Sequence, residues 1–100
     1  MNKLPFFIRE QASIDLESIW DYTFDTWSQR QADKYYHDLI EAFEFLCENP
    51  AAGKSAEHLR KGYLYYKVNS HLIFYTVTNK ELDVIRILHE QMDIPNRIMD

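Results

Sequence analysis

Arg86 is the residue that demands an explanation first. It interrupts the apolar run V-I-R-I-L-H at positions 84–89. A guanidinium buried there without a partner costs several kcal/mol, so it must be paired or face water. The two-residue alternation of a strand puts Val84, Arg86 and Leu88 on one side and Ile85, Ile87 and His89 on the other. Helices can cover only one side, so Ile85 and Ile87 are expected in the core and Arg86 on an open face. On the preceding runs Lys67 alternates with Tyr63 and Tyr65, and Tyr75 shares a side with Ile73 and Val77. An open sheet face with an arginine, a lysine and tyrosines is a candidate binding surface. The plainer account is that Arg86 pairs with a nearby carboxylate and the tyrosines pack, since antiparallel sheets often keep one wet face.

Other chemistries find less support. The four histidines, His37, His58, His71 and His89, never stand three or four residues apart, so no metal site is expected. The single cysteine, Cys47, excludes an internal disulfide and a cysteine-based zinc site and fits a reducing cytosol. There is no glycine-rich phosphate loop and no nucleophile elbow, and no cofactor is expected. Carboxylate pairs such as Asp21 and Asp25 read as a solvated helix face.

The elements that position these residues follow from periodicity. Leu4–Arg9 reads as a first strand, at an edge or beginning near Pro5, which has no amide donor. Ala12, Leu16, Ile19, Trp20, Thr23 and Trp27 recur at helical steps, predicting an amphipathic helix over roughly Gln11–Thr26. Its early acids, Asp15 and Glu17, suit the positive end of the helix dipole. Ser28 with Gln31 has capping-box spacing and starts a second helix, striped by Ala32, Tyr35, Tyr36, Leu39, Phe43, Leu46 and Cys47. Asn49-Pro50 stops it. The short link at Trp27-Ser28 predicts an antiparallel helical hairpin.

Residues 51–59 read as a loop, with a brief strand at Leu59-Arg60. Tyr63–Asn69, His71–Thr78 and Leu82–His89 then read as an antiparallel meander, turning at Asn69-Ser70 and Asn79-Lys80. Beyond His89 a short turn or helix is expected against the sheet edge. The hairpin must cover the meander, which gives an α+β fold: an N-terminal strand, then an antiparallel helical hairpin packed on a mainly antiparallel C-terminal sheet.

One hundred residues make one domain, 1–100, able to bury a single core. No apolar run approaches the ~20 residues of a membrane span, and the N-terminus, lacking signal-peptide features, reads as the mature start. Net charge is −5, split unevenly: residues 1–50 hold four Lys/Arg against ten Asp/Glu, and residues 51–100 seven against six. Such acidity argues against phosphate-driven nucleic-acid binding.

The run G-Y-L-Y-Y-K-V-N-S-H-L-I-F-Y-T-V, followed by V-I-R-I-L-H-E-Q-M-D-I, resembles the C-terminal half of ParE-type toxins of bacterial type II toxin–antitoxin modules. D-L-E-S-I-W-D-Y-T and W-S-Q-R-Q-A-D-K-Y resemble their two helices, E-N-P-A-A-G-K the loop that follows, and H-L-R-K-G the start of their strands. The resemblance implies a RelE/ParE-superfamily fold and a cytoplasmic, non-enzymatic inhibitor of DNA gyrase. It also implies neutralisation by a ParD-type antitoxin in a hetero-oligomer, with no membrane contact and no sequence-specific nucleic-acid binding. Arg86 and His89 with the tail to Arg97, together with Lys67 and Tyr75, are then the expected target-facing residues, and no catalytic residue is assigned. Ile14, Phe24 and Ile40 lie off the helical stripes and are expected to be covered by the antitoxin.

RelE-type relatives instead cut mRNA in the ribosome, which needs cations and acid–base groups around a pentacovalent phosphate. Here 71–78 has no Lys or Arg, and Leu72 falls where the RNA-cutting relatives carry a basic residue. Only Arg86 and Lys67, with Tyr75 and His89 as acid–base groups, remain for that alternative. A third reading is a relative that has lost activity and serves as a binding partner.

Overall fold

Which side of each strand is buried depends on pairing register, and here the register shifts once. The computed structural model describes residues 3–98. In chain order come β1 (Phe6–Ile8), α1 (Glu10–Thr26), α2 (Gln29–Glu48), a 3-10 turn (Pro50–Ala52), β2 (Lys54–Ser55), β3 (Leu64–Val68), β4 (His71–Val77), β5 (Leu82–His89) and α3 (Ile94–Ile98). The sheet order is β1-β5-β4-β3-β2, with β1 parallel to β5 and every other pair antiparallel. The α+β architecture is the expected one. Met1, Asn2, Met99 and Asp100, and with them the reading of the chain start, lie outside the described residues. No described helix is long and apolar enough to cross a membrane.

Local chemistry sets the boundaries. Ser28 Oγ accepts the Gln31 N–H at 3.1 Å, satisfying an amide that the first turn of α2 leaves open. Asn69 adopts a φ of 54°, so an asparagine supplies the left-handed residue in a hairpin turn that lacks glycine. The β4–β5 link is a four-residue loop in which Thr78 Oγ1 accepts the N–H groups of Lys80 and Glu81. The expected strand at Leu59-Arg60 is absent. Both of their amides turn back to Ala56 O, and the added strand is Lys54–Ser55, paired with Leu64 and Tyr65.

The helical hairpin packs on one face of the sheet. Leu16, Ile19, Leu39, Phe43 and Leu46 meet Ile73, Tyr75, Leu82, Val84 and Ile87. Each such fully buried side chain contributes about 1.5–3 kcal/mol. Ile40, expected to be exposed, packs half-buried against this core. Trp27, expected in the apolar stripe, stands in water beyond the last turn of α1 and is 72% exposed.

The expected alternation along β5 fails at one residue. Tyr75 pairs with Val84 but Phe74 pairs with Arg86, so Ile85 is an extra residue in a bulge. Val84 therefore joins Ile87 in the main core, and Ile85 leaves it. The far face is not open either. Phe74 and Leu88 form a second cluster with Ala56 and Ile98, flanked by Leu59, Tyr63, Tyr65, Leu72 and Ile94. The loop before β3 and helix α3 cover it.

Tyr75 is corrected as well. It lies on the helix side, 0% exposed, and so is closed to a target. Its phenol donates to Pro50 O at 2.9 Å and accepts the Gly53 N–H at 2.9 Å, fixing the loop after α2. A Cβ at Gly53 would overlap that hydroxyl and crowd the ring. Gly53→Ala is expected to cost about 1–3 kcal/mol in urea unfolding by overpacking. Adding Tyr75→Phe should recover part of the loss, because the hydroxyl is the atom first displaced.

Candidate functional site

The connected end of the helical hairpin, around Trp27 and Ser28, does not close on the sheet. Between them lies a cleft of about 720 Å³, lined by Ile19 and Tyr22 of α1, Trp27 just after it, Tyr35 of α2, His71 and Ile87 of the sheet, and residues beyond. Sites of roughly 300–1,000 Å³ hold small ligands or several side chains of a partner. Residues 15, 18 and 22 are three and four apart, so one flank of α1 forms one wall. His71 and His89 face each other because their Cα positions are partners in the β4–β5 ladder.

Hydrogen bonds and ring contacts tie the polar wall together. The Ser70 N–H donates to the Tyr35 phenol oxygen at 3.4 Å, and the phenol shares a hydrogen bond with His71 Nδ1. His71 meets Tyr35 edge-on with ring centroids 5.3 Å apart, and His89 likewise at 5.2 Å. His89 Nδ1 accepts the Gln91 N–H at 3.1 Å. Burial pushes His71 down to about 4, helped by His89 and opposed by Asp15 and Glu90. Burial also raises the Tyr35 phenol. At neutral pH this wall offers hydrogen bonds and apolar surface but no charge from His71.

Asp15, at one side of the cleft, takes up Arg86. Arg86 Nε lies 2.8 Å from Asp15 Oδ2 and Nη2 lies 3.1 Å from Oδ1. Asp15 Oδ2 also accepts the Ile87 N–H at 2.9 Å, and Arg86 Nη1 donates to Arg97 O at 2.7 Å. Both side chains are 12% exposed. The expected open-face arginine is thus the plainer alternative, a largely buried ion pair.

The four expected site residues are dispersed. Tyr75 is in the main core and Arg86 in its ion pair. Lys67 is exposed at the end of β3, 3.0 Å from Glu90. His89 alone lines the cleft. Sequence reasoning missed His71, Tyr35, Tyr22 and the partner role of Asp15. One signal was available: Asp15 stands three residues after Ala12 and four before Ile19, at the margin of the buried stripe. On the far face a smaller hollow of about 330 Å³ is lined by Arg9, Arg60, Tyr63, Arg86 and Ile98 among others. Arg9 there is tied to Asp83 at 2.8 Å.

Comparison with known proteins points one way. The family described as "ParE toxin of type II toxin-antitoxin system, parDE" matches residues 6–94. A protein named Toxin ParE1 from Mycobacterium tuberculosis is 35% identical over 94 residues, 93% of this chain and 96% of that protein. Toxin ParE1 from Caulobacter vibrioides is 35% identical over 89 residues, 89% of this chain and 92% of its own. A solved chain from a structure described as "Chromosomal ParDE TA system from P. aeruginosa" superposes with a TM-score of 0.76 at 22% identity. It covers 87% of this chain and 96% of that one, and it shares the fold.

Two outcomes follow from the site's geometry. Arg86→Ala is expected to cost about 3–5 kcal/mol in denaturant melts, because it strands the Asp15 carboxylate. The double variant with Asp15→Asn should lose less than the sum of the single changes; strict additivity would show that the pair is not coupled.

The second outcome concerns pH. His71 takes its proton near 6.5 when unfolded and near 4 when folded. Between those values the unfolded chain binds more protons, so stability is complete above about pH 6.5 and falls as pH drops toward 4. His71→Asn should flatten that slope, and proton resonances of the His71 ring should titrate near 4.

Proposed function

The chain belongs to the ParE toxin family of type II toxin–antitoxin systems, and from that premise we propose that it inhibits DNA gyrase in the cytoplasm and is neutralised by a ParD-type antitoxin. The family match across residues 6–94 carries this reading. The fold it shares with a chain of a ParDE system supports an antitoxin as partner. Ile14 and Phe24 are 48% and 45% exposed on the hairpin, large apolar groups of the kind that an amphipathic antitoxin helix covers.

A protein-binding inhibitor needs no acid–base constellation, and three of the four groups that could form one are committed elsewhere, which leaves His89 in the cleft. Tyr75 is bonded in the core, Arg86 holds Asp15 and Arg97 O, and Lys67 holds Glu90. One observation favours the second reading, an mRNA endoribonuclease acting in the ribosome: the arginine-lined hollow on the far face. Two of its three arginines, Arg9 and Arg86, are in ion pairs with Asp83 and Asp15, which leaves little charge for a phosphate.

The test is direct. The purified protein is expected to block gyrase supercoiling and leave ribosome-bound mRNA intact. Cut mRNA with gyrase unaffected would reverse the assignment. Amide exchange in the presence of a ParD-type antitoxin should show added protection at the helical hairpin or at a sheet edge.

A further inference from the structure

The smaller hollow on the far face has a one-sided chemistry. Arg9 from the link between β1 and α1, Arg60 from the loop before β3 and Arg86 from β5 all line it. Gln11, Tyr63 and Thr76 add an amide and two hydroxyls, and Ile85 and Ile98 add apolar surface. The chain carries 16 Asp and Glu, yet among the described residues no carboxylate lines this hollow. A concavity of cationic and neutral donors is a setting for an anion.

The charges around it do not cancel. Asp15 takes up Arg86, and Asp83 takes one nitrogen of Arg9, Nη2, at 2.8 Å. The other guanidinium nitrogens of Arg9 make no hydrogen bond among the described residues, and its side chain is 54% exposed. Arg60 is exposed, and its guanidinium has neither ion pair nor hydrogen bond among the described residues. The side chains of Gln11, Tyr63 and Thr76 likewise make no hydrogen bond there. Three arginines against two carboxylates leave one positive charge. That is too little to stabilise a pentacovalent phosphate, and enough to hold one small anion.

We infer that this hollow binds a small phosphomonoester of about mononucleotide size, with its phosphate on Arg60 and Arg9 and its organic part against Ile85, Ile98 and the Tyr63 ring. Phosphate is favoured over carboxylate by the placement of the donors. They come from separate elements, and the terminal oxygens of a phosphate accept from several directions, whereas a carboxylate offers two oxygens in one plane. The volume, about 330 Å³, stands at the small end of ligand sites and suits one nucleotide or sugar phosphate. Charge argues against a nucleic-acid strand. A net −5 repels a polyanion, and one surplus cation neutralises a single phosphate rather than a run of them. Occupancy would tie together the link before α1, the loop before β3 and α3. The inference does not depend on gyrase being the target.

The experiment titrates the full chain with inorganic phosphate, adenosine monophosphate, cyclic adenosine monophosphate, adenosine and a short DNA duplex. Adenosine monophosphate is expected to bind about tenfold more tightly than inorganic phosphate or the cyclic diester, and adenosine not measurably, by calorimetry. It should shift the amide resonances of Gln11, Arg60, Thr76 and Ile85 and raise the melting temperature in proportion to its occupancy. Arg60→Gln should weaken it by about tenfold or more and leave the melt of the free protein unchanged, since that side chain bonds to nothing in the fold. Arg60→Lys, which keeps the charge and loses the planar fork, should fall between. Lys34→Gln, which removes a cation of α2 paired with Asp38, should change nothing.

Equal binding of adenosine and its monophosphate would overturn the proposal, as would resonance shifts confined to the cleft between hairpin and sheet. An unchanged affinity in Arg60→Gln would overturn it too. A duplex that binds more tightly than the monophosphate, and loses that affinity in Arg60→Gln, would assign the hollow to a nucleic-acid backbone instead.

Discussion

A single carboxylate, Asp15, holds three parts of this molecule in register. It pairs bidentately with Arg86, accepts the Ile87 N–H, and through Arg86 reaches the carbonyl of Arg97. β1 pairs with β5 only from Leu82 to Val84, so beyond that point the edge of β5 needs another acceptor. α1 supplies it. The same contact fixes the height of α1 along β5, and with it the width of the cleft between the hairpin and the sheet. It also ties down the segment that carries Ile98 over the far face. Such a pair adds little net stability over a well-packed apolar pair, since two charges must be desolvated. Its use here is positional: one geometry satisfies all three donors, and a slipped helix would satisfy none.

The bulge at Ile85 is the second constraint, and it depends on the first. One extra residue in β5 reverses the parity of everything after it. Without it Val84 and Ile87 could not both face the helices, and with Val84 in the core Leu88 could not join Phe74 on the far side. The result is a sheet buried on both faces, by the hairpin on one and by Ala56, Leu59, Ile94 and Ile98 on the other. The guanidinium of Arg86 leaves the strand just past the bulge, where it meets the edge and the tail together.

These constraints leave a cleft between hairpin and sheet and commit Lys67 and Arg86 to internal ion pairs. In a ParE-family chain organised this way the exposed rings of Tyr22 and Trp27 stand at the lip of that cleft. Tyr75, a phenol and so an acid–base group by type, instead braces the loop after α2 from inside the core.

Periodicity, capping residues and turn chemistry act over a few positions, and the elements that depend on them were legible in the sequence. The Ser28 cap, the Asn49-Pro50 stop, the helix stripes through Leu16 and Leu39, and the span Leu82–His89 all lie where local pattern puts them. The family, too, was legible, because the order of these pieces is itself a pattern. Arg86 was recognisable as a residue that had to be paired or exposed, but its partner is 71 positions away. No local rule contains a contact of that separation. The bulge was equally hidden, because it is decided by what β4 and α1 present to β5. The strict alternation assumed for a lone strand therefore misassigned Val84 and Ile85. Tyr75 went into the core and the far face was covered because packing, which optimises all neighbours at once, chose among placements that each strand alone leaves equivalent.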